Sequence, residues 1–209
     1  MDRTVYLIRH GETDMNREER LQGQIDSELN PTGIAEAQSA ARRLHEAGIR
    51  FDRIYTSPLR RAARTADIIA EGGAVTVEPL ITEMHFGSFE GMPYGKIDGK
   101  MWDFIHDPEH VPPPEGVESI QSLTGRTGSF LRRIISDSSE SCILAVTHGI
   151  ALRSMLWNLY GEDSRAQVWG MPIENCVIYT FRVTDGKVTG IRRADELSQK
   201  SESDTSAVF

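Results

Sequence analysis

The chain of 209 residues is poor in cysteine, has no long apolar run and carries no surplus of positive charge. Its two cysteines, Cys142 and Cys176, stand far apart in apolar segments, which speaks against a disulfide framework and for reduced, buried thiols. No run is apolar enough to span a bilayer. From Asp2 and Arg3 the chain passes straight into a strand-like run without an apolar leader, so a cytoplasmic enzyme with no membrane partner is expected. A formal net charge of -8 repels nucleic acid as well as anionic lipid, so an anionic substrate has to be captured by a local arginine cluster. Cys/His groups at metal-ligand spacing are also missing, and neither a metal nor a cofactor is expected.

What is present is an alternation of short apolar runs and amphipathic stretches. Val5-Tyr6-Leu7-Ile8 reads as a buried strand. Asn30-Pro31-Thr32-Gly33 opens a helix with Ile34, Ala37, Ala41 and Leu44 on its apolar face, ending at Gly48. Phe51 to Thr56 reads as a second strand. Ser57-Pro58-Leu59-Arg60-Arg61 then turns into a helix through Ala62, Ala66, Ile69 and Ala70, and a short strand follows at Val75 to Val77. Glu118 to Ile135 has helical periodicity, Cys142 to Val146 is strand-like, and Gly149 to Tyr160 is helical. Asn175 to Val183 and Lys187 to Arg193 form a closing hairpin about Asp185-Gly186. This pattern predicts an α/β fold: a three-layer α/β/α sandwich with a mostly parallel mixed sheet and helices on both faces. Ile81 to Val117, rich in Gly, Pro, His and aromatics, reads as a lid insertion over about 84–117 within a single domain of residues 1–197. The polar stretch 198–209 is expected to be a disordered tail.

The chemistry-bearing residues fall at strand ends. Arg9-His10-Gly11 follows the first strand and Thr147-His148-Gly149 the strand at 142–146. Ser57-Pro58-Leu59-Arg60 follows the second strand, and Glu83 stands in Glu83-Met84-His85-Phe86-Gly87. In open α/β sheets the C-terminal strand edge collects ligand-binding residues, and arginine beside histidine suits a phosphate held against an imidazole. Each piece alone has an ordinary reading. His148 alone is a structural histidine, Glu83 alone a solvated loop acid, and a basic run such as Arg60-Arg61 with Arg64 the exposed face of a helix.

Together, in this order, they resemble the histidine phosphatase superfamily, also called the phosphoglycerate mutase-like family, over nearly the whole chain. The stretch from Glu83 through Phe86-Gly87-Ser88-Phe89-Glu90-Gly91 resembles the family's Glu-x-x-x-Gly-x-x-Glu-Gly pattern. The resemblance implies that His10 is the nucleophile and becomes a transient phosphohistidine, and that Glu83 is the proton donor. It further implies that Arg9 and Arg60 grip the phosphoryl oxygens as catalytic and binding residues, with His148 as a further donor. Asn16, Gln22, Gly23 and Gly149 complete the implied phosphate site, and Arg61 and Arg64 are left as surface or structural residues. Glu12 is read as support for the pocket. The implied activity is hydrolysis of a small phosphorylated metabolite, and a homodimeric assembly is compatible with it. Mutases of the family carry Glu-Arg-His-Tyr-Gly where this chain has Met84 and Phe86, and no arginine occurs between Arg64 and Arg126, which argues against isomerisation. Met15, where many relatives have tryptophan, is a further departure. A non-catalytic phospho-ligand binding module is the alternative from another class.

Overall fold

A computed structural model describes residues 2–136, 139–161 and 165–194. Seven helices and six strands run in the order β1 (Arg3–Arg9), α1 (Asp14–Arg17), α2 (Pro31–Glu46), β2 (Arg53–Thr56), α3 (Arg60–Ala70), β3 (Val75–Val77), α4 (Gly99–His106), α5 (Ile120–Ser136), β4 (Cys142–Thr147), α6 (Gly149–Tyr160), α7 (Arg165–Gly170), β5 (Ile178–Thr184) and β6 (Lys187–Arg193). They build one six-stranded sheet in the order β3-β2-β4-β1-β5-β6. The first four strands are parallel, and β5 and β6 add antiparallel on one side. The expected mixed, mostly parallel sheet is therefore observed, and the Phe51 strand begins two residues later than its apolar run suggested, at Arg53.

The two faces of the sheet carry separate cores. Ile8, Ile54, Leu144 and Val146 pack against Ala37, Ala40, Ala41 and Leu44 of α2 and Ala62, Ala66 and Ile69 of α3. The alanines let these two helices sit close to the strands. On the opposite face, Val5, Leu7, Ile143 and Ala145 meet Leu123, Phe130 and Leu131 of α5 and Leu152, Met155 and Leu156 of α6. β4 runs between β1 and β2 and is buried along nearly its whole length, as an interior parallel strand must be.

The segment read as a lid is packed rather than loose. Met84, Phe86, Ile97, Met101, Phe104 and Val117 all enter the same core as α5 and α6. Each such side chain contributes about 1.5–3 kcal/mol by leaving water. Polar stretches with glycine and proline thus alternate with apolar anchors, and the helix α4 inside the segment escaped the sequence reading because it spans only eight residues, Gly99–His106. The expected disordered tail lies outside the described residues. Cys176 is buried and Cys142 half-buried, and both are free thiols.

The loop after β1 is set by contact between two glycines. Asn30 caps α2 by accepting from the Gly33 N–H at 2.9 Å and donates to the Glu12 carboxylate at 2.7 Å. A Cβ at Gly11 would stand 2.3 Å from the Gly33 carbonyl oxygen, and one at Gly33 would stand 2.1 Å from that of Glu12. Both obstacles are backbone, so neither can swing aside. Gly33→Ala is expected to destabilise the fold by about 1–3 kcal/mol in urea unfolding and to lower turnover by displacing the His10 loop. An unchanged midpoint would contradict this close approach.

Candidate active site

Three neighbouring parallel strands deliver the site. β1 ends in Arg9 and His10, β4 in Thr147 and His148, and β2 in Ser57, with the junctions tied by His10 N–H to Thr147 O at 2.9 Å and Ser57 N–H to Val146 O at 3.0 Å. The His10 and His148 rings lie 5.1 Å apart between centroids, and both are almost wholly buried.

Hydrogen bonds assign the tautomers. The Nδ1 of His10 lies 2.7 Å from the Gly11 carbonyl, which can only accept, so Nδ1 carries the proton. Its Nε2 therefore presents a lone pair, and the Nε–H of Arg61 donates to it at 3.2 Å. Burial first, and then the charges of Arg61 and Arg9, hold the His10 imidazole well below its ordinary range, which keeps it neutral. His148 Nε2 lies 2.7 Å from Ser57 Oγ, which already accepts from the Leu59 N–H at 3.3 Å. The serine proton is thus free to go to Nε2, leaving His148 Nδ1–H as a buried donor with no partner. Burial, then Arg61, also pushes the pKa of His148 well down.

The structure replaces Arg60 by Arg61 as the second site arginine. Arg60 lies on the surface, its guanidinium held by Asp26 at 3.0 Å and Glu28 at 2.7 Å, with no bond to His10. Arg61 is 1% exposed. Its two terminal nitrogens donate to the carbonyls of Ile25 and Gly23, both at 2.6 Å, while Nε faces His10. Desolvation lowers its pKa to about 10. Helix phase is the reason: α3 buries Arg61, Ala62, Thr65, Ala66 and Ile69, and Arg60 falls off that stripe. Arg61 is two helical repeats before Ile69, a signal that was available in the sequence.

Arg9 donates to the Ile173 carbonyl at 2.6 Å, while its buried Nε has no partner. Asn16 turns its amide oxygen to Thr13, and Gln22 turns its own to Thr13 and Ser27, so in both the amide nitrogen remains as a donor that bonds no described residue. Gly23 adopts a φ of 53°, and a Cβ there would strike the Glu90 carboxylate at 2.2 Å. Gly149 begins α6 with its missing Cβ facing the Arg9 guanidinium at 3.7 Å and Glu83 at 3.8 Å.

Glu83 reaches this helix terminus as well. Its carboxylate accepts from the N–H groups of Met84 at 2.9 Å, Ala151 at 2.9 Å and Ile150 at 3.2 Å, so it caps α6. The backbone beneath it is clamped by Arg126, which donates to the carbonyls of Leu80, Thr82 and Glu83 at 3.0, 2.6 and 3.0 Å and pairs with Glu118 at 2.8 Å. Thr147 adds a bond to the Ile81 carbonyl at 2.7 Å. Asn175 donates to the His10 carbonyl at 3.0 Å. Ser57, Arg126 and Asn175 had no role in the sequence reading, because the fold brings their partners from far along the chain: the His148 ring for Ser57, the carbonyls of Leu80, Thr82 and Glu83 for Arg126, and the His10 carbonyl for Asn175. Glu12 is scaffold, as expected, bonded by Asn30. Of the remaining histidines, His85, His106 and His110 are engaged in local bonds to Gly116 O, Trp102 O and Asp107. Met84 and Phe86, at 1% and 2% exposure, serve the core. Among the described residues, no group of three or more His, Cys, Asp or Glu side chains is placed to hold a metal ion.

Parallel strands of a mixed α/β sheet whose ends hold a neutral imidazole beside two arginines, a helix N-terminus and a carboxylate have the chemistry of a histidine-centred anion site. The chain belongs to the histidine phosphatase superfamily, branch 1, whose family model matches residues 5–196. It is 35% identical over 169 residues to a probable phosphoglycerate mutase, GpmB, of Yersinia pestis, covering 78% of this chain and 77% of that protein. Among solved structures it resembles a phosphoserine phosphatase of Entamoeba histolytica in complex with phosphoserine, with a TM-score of 0.80, 27% identity, and 94% of this chain and 99% of the other covered. It also resembles a putative alpha-ribazole-5'-P phosphatase of Escherichia coli, with a TM-score of 0.81, 26% identity, and 96% and 99% covered. The chain is accordingly an enzyme of the phosphoric monoester hydrolase type. No described helix is long and apolar enough to cross a membrane.

Two outcomes follow from this geometry. Arg61→Ala is expected to reduce kcat/KM on p-nitrophenyl phosphate at least about a hundredfold, consistent with loss of a buried charged donor worth roughly 3 kcal/mol, while Arg60→Ala stays within about twofold of wild type. Equal losses would restore Arg60 to the site. The buried histidines also link stability to pH. Their folded pKa lies well below the unfolded value of 6.5, so stability is full above that value and falls as pH drops beneath it, when only the unfolded chain takes up protons. The limiting slope is about 1.4 kcal/mol per pH unit per histidine. Urea unfolding at about pH 7.5 and about pH 5.5 should show a smaller acid loss for His148→Asn than for wild type, and an equal loss would contradict burial of the neutral ring.

Proposed function

We propose that the enzyme hydrolyses a small phosphorylated metabolite in two displacements through a phosphohistidine on His10. The observation that carries this reading is that two residues beside the neutral His10 hold unpartnered buried donors, Arg9 Nε and His148 Nδ1. Buried polar atoms are ordinarily satisfied, and a phosphoryl oxygen would satisfy these two. The amide nitrogens of Asn16 and Gln22 and the start of α6 supply further donors.

In the first step the His10 Nε2 lone pair attacks phosphorus as the bond to the ester oxygen breaks. Nδ1–H stays on the Gly11 carbonyl and stabilises the cation that forms on the ring. Glu83 gives the departing alkoxide its proton. In the second step water attacks the phosphohistidine and returns a proton to Glu83, inorganic phosphate leaves, and the His10 lone pair is restored. Arg9 and Arg61 hold the phosphoryl charge throughout, in a site largely shielded from water.

Mutase activity is the second reading, favoured by the name of the Yersinia pestis relative. Against it stand the burial of Met84 and Phe86 in the core and the absence of arginine from 65 to 125. The exposed part of the 84–117 segment, around Tyr94, we read as the rim over the pocket. The substrate reading fits the acidic chain, which favours a small molecule over a nucleic acid.

His10→Ala should abolish phosphate release from every ester. Glu83→Gln should slow alkyl phosphates at least about a hundredfold more than p-nitrophenyl phosphate, whose leaving group needs little protonation. Equal losses on the two substrates would remove Glu83 from the acid role.

A further inference from the structure

The proposed chemistry uses Arg9 and Arg61 and leaves one more cation beside the pocket. Arg153 lies on α6 four residues after Gly149, hence on the same helix face, the one that meets Arg9 and Glu83. Side chains on a helix lean toward its N-terminus, so a long side chain at 153 extends back along the face that Gly149 leaves bare. Arg153 is half-buried. Its Nε and Nη2 donate to the Met171 carbonyl at 3.2 and 2.9 Å, which fixes one edge of the guanidinium, and Nη1 bonds no described residue.

Tyr94, on the segment read as the rim, lies within electrostatic reach of Arg153. Its backbone N–H donates to the Glu19 carbonyl at 2.8 Å, and Pro93 bridges to Arg20, so this segment is stitched to the stretch between Asn16 and Gln22. The ring packs edge-on against Trp102 with centroids 6.0 Å apart, and its hydroxyl bonds no described residue. Burial raises the pKa of Tyr94, and the charges that act on it are Arg9, Glu83, Glu19 and Arg153. The same set, with Glu83 first, acts on Arg153, whose pKa burial lowers.

We infer that Arg153 and Tyr94 form a specificity subsite for a carboxylate on the leaving-group side of the substrate, so that the preferred esters are phosphorylated hydroxy acids or amino acids. This rests on the phosphatase reading above and narrows its substrate class. One guanidinium edge and one phenol match a monoanion. A second phosphate, being a dianion, would meet too few donors and the nearby carboxylates of Glu19 and Glu83. The subsite was invisible in the lid sequence because its cation comes from α6, after the catalytic histidine.

The test uses two substrate pairs that differ mainly in a carboxylate: O-phosphoserine against O-phosphoethanolamine, and 3-phosphoglycerate against glycerol 3-phosphate, with p-nitrophenyl phosphate as a reference. Wild type should favour the carboxylate-bearing member at least about tenfold in kcat/KM, which corresponds to about 1.4 kcal/mol. Arg153→Gln keeps an amide donor for the Met171 carbonyl and removes the charge, and it should bring the ratio toward one. Tyr94→Phe should lower the ratio in the same direction. A wild-type ratio near one, or equal losses on both members of a pair, overturns the subsite while leaving the phosphatase reading intact. Silence on every ester, the reference included, would remove the phosphatase reading and this inference with it.

Discussion

The structure depends on keeping one imidazole neutral between two fixed positive charges. His10 is buried beside Arg61 and near Arg9, and its lone pair is aimed by a proton committed to the Gly11 carbonyl. Burial and both cations act in the same direction on its protonation, so nucleophilicity does not rely on a neighbouring base. The cost is two guanidinium groups of like charge buried close enough to act on one another. Carbonyl oxygens offset it: Gly23 and Ile25 for Arg61, Ile173 for Arg9. A phosphoryl dianion would complete that balance.

Around this centre the parallel sheet acts as a positioning frame. Adjacent strands β2, β4 and β1 end level with one another and deliver Ser57, His148 and His10, while α6 starts where β4 stops and points its N-terminus into the same space. Glu83 occupies part of that terminus from outside the sheet, and it is held there by a chain of bonds through Arg126, Glu118 and Thr147. The proposed acid and nucleophile therefore stand on separate supports, His10 on a strand end and Glu83 on a loop pinned to two helices. A substrate binding between them would touch both supports at once.

Much of this was legible in the sequence, and the failures have physical causes. Strand ends bearing Arg9-His10 and Thr147-His148 are short-range features, so their placement followed from apolar runs and turns alone. The Arg60 assignment failed because adjacent arginines differ only in helix phase. One step along α3 turns a side chain by about 100°, enough to exchange a buried position against His10 for a surface pair with Asp26 and Glu28. The apolar stripe through Ala62, Ala66 and Ile69 carried the answer, and Arg61 shares its face. Arg126, Asn175 and Arg153 were not readable in that way. Their partners are carbonyls or pocket groups brought near by the fold, and no local pattern marks them. The segment at 84–117 was read as a lid insertion from its glycines, prolines and aromatics, and that pattern did not tell that Met101 and Phe104 fasten it into the core.

The central claim is that His10 Nε2 forms a covalent bond to phosphorus, and the direct measurement is rapid quenching of the enzyme with a fast-turnover phosphate ester under alkaline conditions, followed by intact-mass and peptide mass spectrometry. The account predicts a phosphorylated species confined to the peptide containing His10, stable in alkali and lost in acid, that appears faster than steady-state turnover and accumulates in Glu83→Gln when p-nitrophenyl phosphate is the donor. Steady turnover with no phosphorylated enzyme in either protein, or with the phosphoryl group on another residue, would contradict it.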